Sequence, residues 1–437
     1  MRLSAFIFLF AIGILNLNAE TTTTAPAVTL KATTDRPDSI YKTGEPATFT
    51  ISSSPAIDGP VTCILSKDGI QAQPPQTLNL QKGKATLTGT LDEPGFLQLR
   101  VTSPHAKSHT LAAAALDPHL IKPSMPVPDD FDTFWQNQKD ALAKIPLKST
   151  LTPVPATSSA PFKNIDAFDV QVDCLGAPVS GYFGKPKNAK SKSLPAILFV
   201  HGAGVRSANL GTVHWATNEG GMLTLDINAH GIPNGQPEEY YEQLSKNELL
   251  NYRAEGRADR EKNYFTGMFL RVIRAIDFLT AQPEWDGKTL IVYGTSQGGY
   301  QAFAAAGLDS RVSFFCAGVP AGCDHSGSQA DRVNGWPKMV PNDPATGKPD
   351  PLALQTSRYL DAVNFAQRAH GKGAAITVGF IDVTCPPTSV YAAYNALTIP
   401  KTLNTEPLAG HTNTPAALKF MQDAALQHVR DMKRISP

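Results

Sequence analysis

An α/β domain placed behind a small β-sandwich is the architecture expected of this 437-residue chain, and three features carry that expectation. From Leu194 onward, short β-branched or aromatic runs alternate with stretches whose apolar residues recur at three and four. Residues 20 to about 116 instead alternate at period two, with no stretch of helical period. Finally, a serine flanked by glycines follows one of the apolar runs and opens a helical one.

Taken in order, the chain starts with Arg2 and the apolar run LSAFIFLFAIGIL, followed by a cleavage site expected after Ala19. This pattern reads as a signal peptide over residues 1–19, which places the mature protein in the periplasm or outside the cell. Residues 20–116 are rich in Thr, Ser, Pro and Gly. In FLQLRVT, Leu97, Leu99 and Val101 are expected on one face, with Gln98, Arg100 and Thr102 on the other. Asp68-Gly69 and Lys82-Gly83 supply turns, so an antiparallel, immunoglobulin-like sandwich is expected, with Tyr41 and Phe96 in its core. A proline-rich linker, 117–128, follows, and then the α/β domain, 129–437.

That domain opens with a helix carrying Phe131, Phe134, Trp135 and Leu142 near one face. FDVQVDC and VSGYFG flank Gly176 as an antiparallel pair. PAILFVH, GMLTLDI, TLIVYG, VSFFCAG and AAITVGFID are expected as strands buried on both faces of a parallel sheet. TGMFLRVIRAIDFLTAQ, QGGYQAFAAAGL and SRYLDAVNFAQRAH are expected as helices. A last helix is capped by Thr414 and started by Pro415.

Composition bounds the function. Lys plus Arg is 39 and Asp plus Glu is 38, a balance that argues against a nucleic-acid partner. No second long apolar run suggests a membrane partner once the leader is removed. The five cysteines, an odd number, cannot all pair within one chain. Cys316 and Cys323 could close a short loop, or all five could be buried thiols.

The chemistry centres on Gly294-Thr295-Ser296-Gln297-Gly298, which has the strand-turn-helix context of a nucleophile elbow. A tight bend projects the serine oxygen, and the helix start offers backbone N–H groups to a reacting carbonyl. His201-Gly202-Ala203-Gly204 ends an earlier strand, where a second oxyanion donor belongs. The expected oxyanion hole is therefore the backbone N–H groups of Ala203 and Gln297, with His201 a structural residue closing its loop. Asp382 follows a strand and precedes a helix, which suits an orienting acid. Its rivals are Asp324, Asp350 and Asp361, the last expected inside a helix. His411 lies in a turn before the final helix and is the expected base. His370 and His428 read as solvated, and His325, in a polar loop, stays open as a rival base. Ser296, His411 and Asp382 can then perform acyl transfer, which calls for no cofactor or metal. His201, His214 and His230 are too scattered along the chain to suggest a metal cluster.

PDDFDTFWQNQ, HGAG, FTGMFLRVIRAIDFLTAQPEWDGKTLIVYGTSQGG, IDVTCPPTSVYAAYN and GHTNT, in this order, resemble the acetyl xylan esterase / cephalosporin-C deacetylase family of carbohydrate esterases. The likeness runs from about Pro128 to the C-terminus. It implies an α/β-hydrolase fold, removal of O-linked acetyl groups, the triad Ser296, Asp382 and His411, and Ala203 and Gln297 as oxyanion donors. The family's compact oligomers make a homo-oligomer a further partner to consider. The chain departs from the family at Ala229-His230-Gly231, where the family carries Arg-Gly-Gln. Ala203 replaces an aromatic residue and Thr412 a glutamate, and the leader and front sandwich are additions. The resulting expectation is a secreted serine esterase that deacetylates xylan or its oligosaccharides. Two alternatives stay open: an α/β-hydrolase for another small ester or lactone, and a carbohydrate-binding protein on a degenerate hydrolase scaffold.

Overall fold

The computed structural model describes residues 27–70, 72–154 and 164–434. The expected signal peptide lies outside the described residues.

Eight strands form the front part: β1 (Thr29–Thr34), β2 (Ile40–Tyr41), β3 (Ala47–Ser54), β4 (Gly59–Lys67), β5 (Gln76–Leu80), β6 (Lys84–Gly89), β7 (Gly95–Thr102) and β8 (Thr110–Leu116). They make a three-stranded sheet, β1-β3-β6, and a five-stranded one, β2-β8-β7-β4-β5. Pairing is antiparallel except between β2 and β8, which run parallel. Leu97, Leu99 and Val101 point into a core shared with Phe49, Ile51, Val61 and Tyr41. On the opposite face of β7, Arg100 and Thr102 are exposed as expected, but Gln98 is buried. Phe96 is a core residue of the larger domain, not of the sandwich, because that face of β7 and β8 packs on the chain that follows.

The linker opens with a 3-10 turn, Pro118–Leu120, and is tied down. Ile121 is buried in the large core. The Ser124 N–H and hydroxyl donate to Asp324 at 2.9 and 2.6 Å. Arg332 donates to the Lys122 carbonyl at 2.6 Å, and Arg358 to that of Pro126 at 2.9 Å.

The second part is one nine-stranded sheet built from β9 (Ser149–Pro153), β10 (Ile165–Val172), β11 (Val179–Pro186), β12 (Leu194–Val200), β13 (Leu223–Ile227), β14 (Trp285–Thr295), β15 (Phe314–Gly318), β16 (Gly373–Gly379) and β17 (Lys401–Glu406). Its order is β17-β16-β15-β14-β12-β13-β11-β10-β9. The six strands from β17 to β13 are mutually parallel, and β11, β10 and β9 add antiparallel pairs. Order reverses at β12, which lies between β13 and β14, so a crevice opens at the carboxyl ends of β12 and β14.

Nine helices are described: α1 (Phe131–Ala143), α2 (Leu210–Asn218), α3 (Glu238–Lys246), α4 (Tyr264–Thr280), α5 (Gln297–Leu308), α6 (Pro351–Ser357), α7 (Ala362–Ala366), α8 (Pro387–Ala396) and α9 (Pro415–Arg434). Helix α1 buries Phe131, Phe134, Trp135 and Leu142, the four residues its spacing singled out. Alternation along β12 sends Ile197 and Phe199 toward α2 and α9, and Ala196, Leu198 and Val200 toward the opposite helical layer. Thr414 caps α9 by accepting from the Ala417 N–H at 3.1 Å.

The helix expected over SRYLDAVNFAQRAH is broken. Asp361 is extended and caps α7, so it is not a mid-helix residue. Its carboxylate accepts from the N–H groups of Val363, Asp324 and His325, and those three bonds outweigh continued helix. All five cysteines are buried free thiols, and Cys316 and Cys323 do not pair. Among the described residues no helix is long and apolar enough to cross a membrane.

Candidate active site

Ser296 sits where β14 turns into α5, at φ 58° and ψ −119°. A side chain rarely adopts this backbone, and the surroundings hold it there. The Ser296 N–H donates to the Gly318 carbonyl at 2.8 Å, and its carbonyl accepts from Tyr300 and Ala321 at 3.1 and 3.0 Å. The flanking glycines are needed for close approach. A Cβ on Gly298 would stand 2.1 Å from the Val200 carbonyl oxygen, and one on Gly294 would stand 2.3 Å from the backbone of Gly298. Helix α5 can therefore descend onto β12 and β14 only if both positions lack a side chain.

The Ser296 hydroxyl lies 2.9 Å from His411 Nε2. His411 Nδ1 lies 2.7 Å from Asp382 Oδ2. Asp382 is buried, and its other oxygen accepts from the N–H groups of Thr384 and Cys385 at 2.8 and 2.9 Å. These bonds fix the carboxylate so that the remaining oxygen faces the imidazole. The histidine turn is seated on the acid strand: the Ile381 N–H donates to the Ala409 carbonyl at 3.2 Å. A Cβ on Gly379 would meet the carbonyls of Ala409 and Gly410 at 2.4 and 2.6 Å.

The rivals are occupied elsewhere. Asp350 caps α6, Asp361 caps α7, and Asp324 binds Ser124 and Arg332. His370 is exposed. His428 is not solvated: it is buried, its Nε2 is 2.9 Å from the Ser313 hydroxyl, and burial pulls its pKa down to about 4. Its ring stacks on Phe314 at 4.8 Å. His325 is likewise buried, 3.1 Å from the Tyr300 hydroxyl, with its pKa pushed down to about 3 by burial.

The loop after β12 brings Ala203 to the same cavity of about 520 Å³ as Ser296, His411, Val319, Trp336 and Thr384. Neither the Ala203 nor the Gln297 N–H has an acceptor among the described residues. The Gln297 side chain is buried and takes the Tyr252 hydroxyl on Oε1 at 2.8 Å, so it is the backbone that faces the elbow. His201 Nδ1 lies 2.8 Å from the Gly202 carbonyl, and Nε2 accepts from the Ala229 N–H at 3.3 Å. Donating on one side and accepting on the other requires the neutral ring, and burial brings its pKa to about 3. His201 thus holds the loop, as its position suggested.

Asp382, Cys385 and His411 bring ligating atoms within 4.8 Å of one another. That set fits a metal poorly, because the acid and imidazole bond each other and burial raises the Cys385 thiol well above its ordinary range.

Three residues at the cavity went unread in the sequence. Trp336 forms a wall and packs edge-on against Phe265 at 5.9 Å. Val319 has φ 35°, strained for a β-branched residue, and its N–H donates to the Thr377 hydroxyl at 3.0 Å. Asn413 bridges Thr377 and Thr295 at 2.6 and 3.1 Å, tying the histidine turn to the elbow. Only Asn413 left a signal, its place two residues after the histidine in GHTNT.

Several known proteins are similar to this chain. The acetyl xylan esterase family description matches residues 115–431. The acetyl esterase Axe7A of Xylanibacter ruminicola is 32% identical over 391 residues, which cover 86% of this chain and 85% of that protein. That span exceeds the whole stretch from residue 115 to the C-terminus, so the match reaches into the front sheets. An acetyl xylan esterase from Paenibacillus sp. R4 superposes with a TM-score of 0.59 at 28% identity, over 70% of this chain and 97% of its own. Acetyl xylan esterase 1 from Thermoanaerobacterium sp. JW/SL YS485 has the same fold, with a TM-score of 0.58 at 23% identity over 70% and 97% of the two chains. On the extent of the family match and of the identity to Axe7A, this chain belongs to the acetyl xylan esterase family and is an esterase.

Proposed function

We propose that this esterase is exported and removes O-acetyl groups from xylan or its oligosaccharides through a Ser296–His411–Asp382 acyl-enzyme mechanism. The observation that carries the reading is the unbroken path from the Ser296 hydroxyl to His411 and on to Asp382, at 2.9 and 2.7 Å, opening on a cavity. His411 Nε2 takes the hydroxyl proton as Ser296 Oγ attacks the ester carbonyl carbon. The oxyanion formed is met by the N–H groups of Ala203 and Gln297, and one such donor contributes about 2.7–4 kcal/mol to the transition state. The imidazolium returns its proton to the departing sugar hydroxyl as the C–O bond breaks. Water then attacks the acyl-enzyme, again losing its proton to His411, and acetate leaves as the bond to Ser296 Oγ breaks and that oxygen takes the proton back. Asp382 holds the tautomer and stabilises the imidazolium throughout.

Support for the acetyl group and for xylan comes from the names of the matched relatives, and support for export from the N-terminal apolar run. The test is acetate release from acetylated xylan beside hydrolysis of chromogenic esters of increasing acyl length. Release from xylan, preference for acetate, and loss of both activities in Ser296→Ala are expected. Equal rates on long acyl esters would overturn acetyl specificity, and an active Ser296→Ala would overturn the mechanism.

A further inference from the structure

A second cavity, of about 580 Å³, is strongly cationic. One wall is the turn that carries Arg253 and Arg257, a second is the loop with Arg332 and Lys338, and Ile70 of the front sandwich closes a third. Among the described residues no carboxylate lines it. With 39 basic and 38 acidic residues overall, four cations around one cavity are a local departure and not a reflection of composition.

Arg332 is held by Asp324 at 3.2 Å. Arg253, Arg257 and Lys338 have no acidic partner among the described residues. Burial and the like charge of Arg253 lower the pKa of Arg257. Polar atoms around the cavity are left over as well: Arg257 Nε, Arg332 Nε and the Ser328 hydroxyl are buried without a hydrogen-bond partner among the described residues. Unpaired guanidinium groups and spare donors are the complement of a carboxylate, which arginine recognises through paired N–H groups.

Position links this cavity to the ester site. Tyr252, next to Arg253, donates to Gln297 beside the nucleophile. Trp336, two residues before Lys338, forms a wall of the catalytic cavity.

We propose that this cavity is a subsite for the carboxylate of an acidic sugar branch on the polysaccharide, so that the enzyme favours esters close to uronic acid substituents. The inference rests on the polysaccharide reading above and deepens it. The test measures binding to the full-length Ser296→Ala protein, which does not turn over. The probes are a xylo-oligosaccharide with one glucuronic acid branch, the same oligosaccharide unbranched, free glucuronate and inorganic phosphate, each at low and high salt. The branched sugar is expected to bind about tenfold more tightly than the unbranched one, about 1.4 kcal/mol. High salt should erase the difference.

Replacing Arg253 and Arg257 with Gln in the same protein should bring the ratio of the two affinities to one. Because the readout is a ratio, a general loss of binding does not imitate it. If that variant fails to fold, Lys338→Gln and the salt dependence of the parent protein decide the same question. Equal affinities for branched and unbranched sugar overturn the subsite alone. Phosphate binding without a branched-sugar preference overturns it in favour of a phosphate site. If neither sugar binds while the unmutated enzyme hydrolyses small acetates, the polysaccharide reading falls and the subsite falls with it.

Discussion

In the nine-stranded sheet both faces are covered by helices of the same domain, with Met421, Ala425 and Val429 of α9 on one side and residues of α4 and α5 on the other. The front sandwich covers only one face of its larger sheet from within. The other face is completed by the part built on the nine-stranded sheet, where Phe96 meets Phe380 at 5.1 Å and Tyr391 at 5.6 Å. The same contrast appears in the polar groups: the Thr388 hydroxyl of α8 donates at 2.5 Å to Asp68, on a turn of the sandwich. Phe380 and Thr388 lie on either side of Asp382 in the chain. The front part therefore leans on the segment that carries Asp382. The Paenibacillus relative, which matches 70% of this chain with 97% of its own, has no length left for the remainder. Here the fold carries a cover whose own burial depends on it.

The largest expected effect belongs to the catalytic part. Asp382→Asn should keep the fold and lower kcat by about 10⁴-fold, the cost of the wrong imidazole tautomer. Steady-state kinetics on a chromogenic acetate checks this, and a near-normal rate would place the acid elsewhere.

Phe96→Ala should cost about 3–5 kcal/mol, as for other buried aromatic residues. In a thermal melt the loss should fall on the unfolding of the catalytic domain. A melt in which only a separate front transition moves would break the comparison drawn above.

The smallest effect is electrostatic. Burial raises the Asp68 carboxyl to about 6, so the fold favours its protonated form. Its contribution is fully present below about pH 4 and is lost as pH rises through about 6. Asn keeps an acceptor for Thr388 and tolerates the φ of 51°. Asp68→Asn should thus match the parent protein at pH 4 and melt at a higher temperature above pH 6. A parent protein that gains on the variant as pH rises would contradict a raised pKa.

Much of the site was legible because each part is local. A buried run ending in Gly294-Thr295-Ser296, another ending before Asp382, and a capped helix just after His411 each announce a candidate residue at a strand's carboxyl edge. What escaped depends on partners distant in sequence. Asp361 reads as helical until the N–H groups of Asp324 and His325 turn it into a cap. Gln98 sits on the face that alternation assigns to solvent, yet it is buried, and Phe96, expected in the sandwich core, packs instead into the core of the part that follows. His428 carries no mark of its bond to Ser313, 115 residues away. Trp336 reaches the cavity through a loop without periodicity.

The five unpaired thiols have a practical consequence. Each is buried, and burial raises the pKa of each, so the reactive thiolate is scarce. The polypeptide therefore needs no oxidant to reach its native form. Reducing agents find no covalent cross-link to cut among these residues, and alkylating reagents should label them only once the protein has opened.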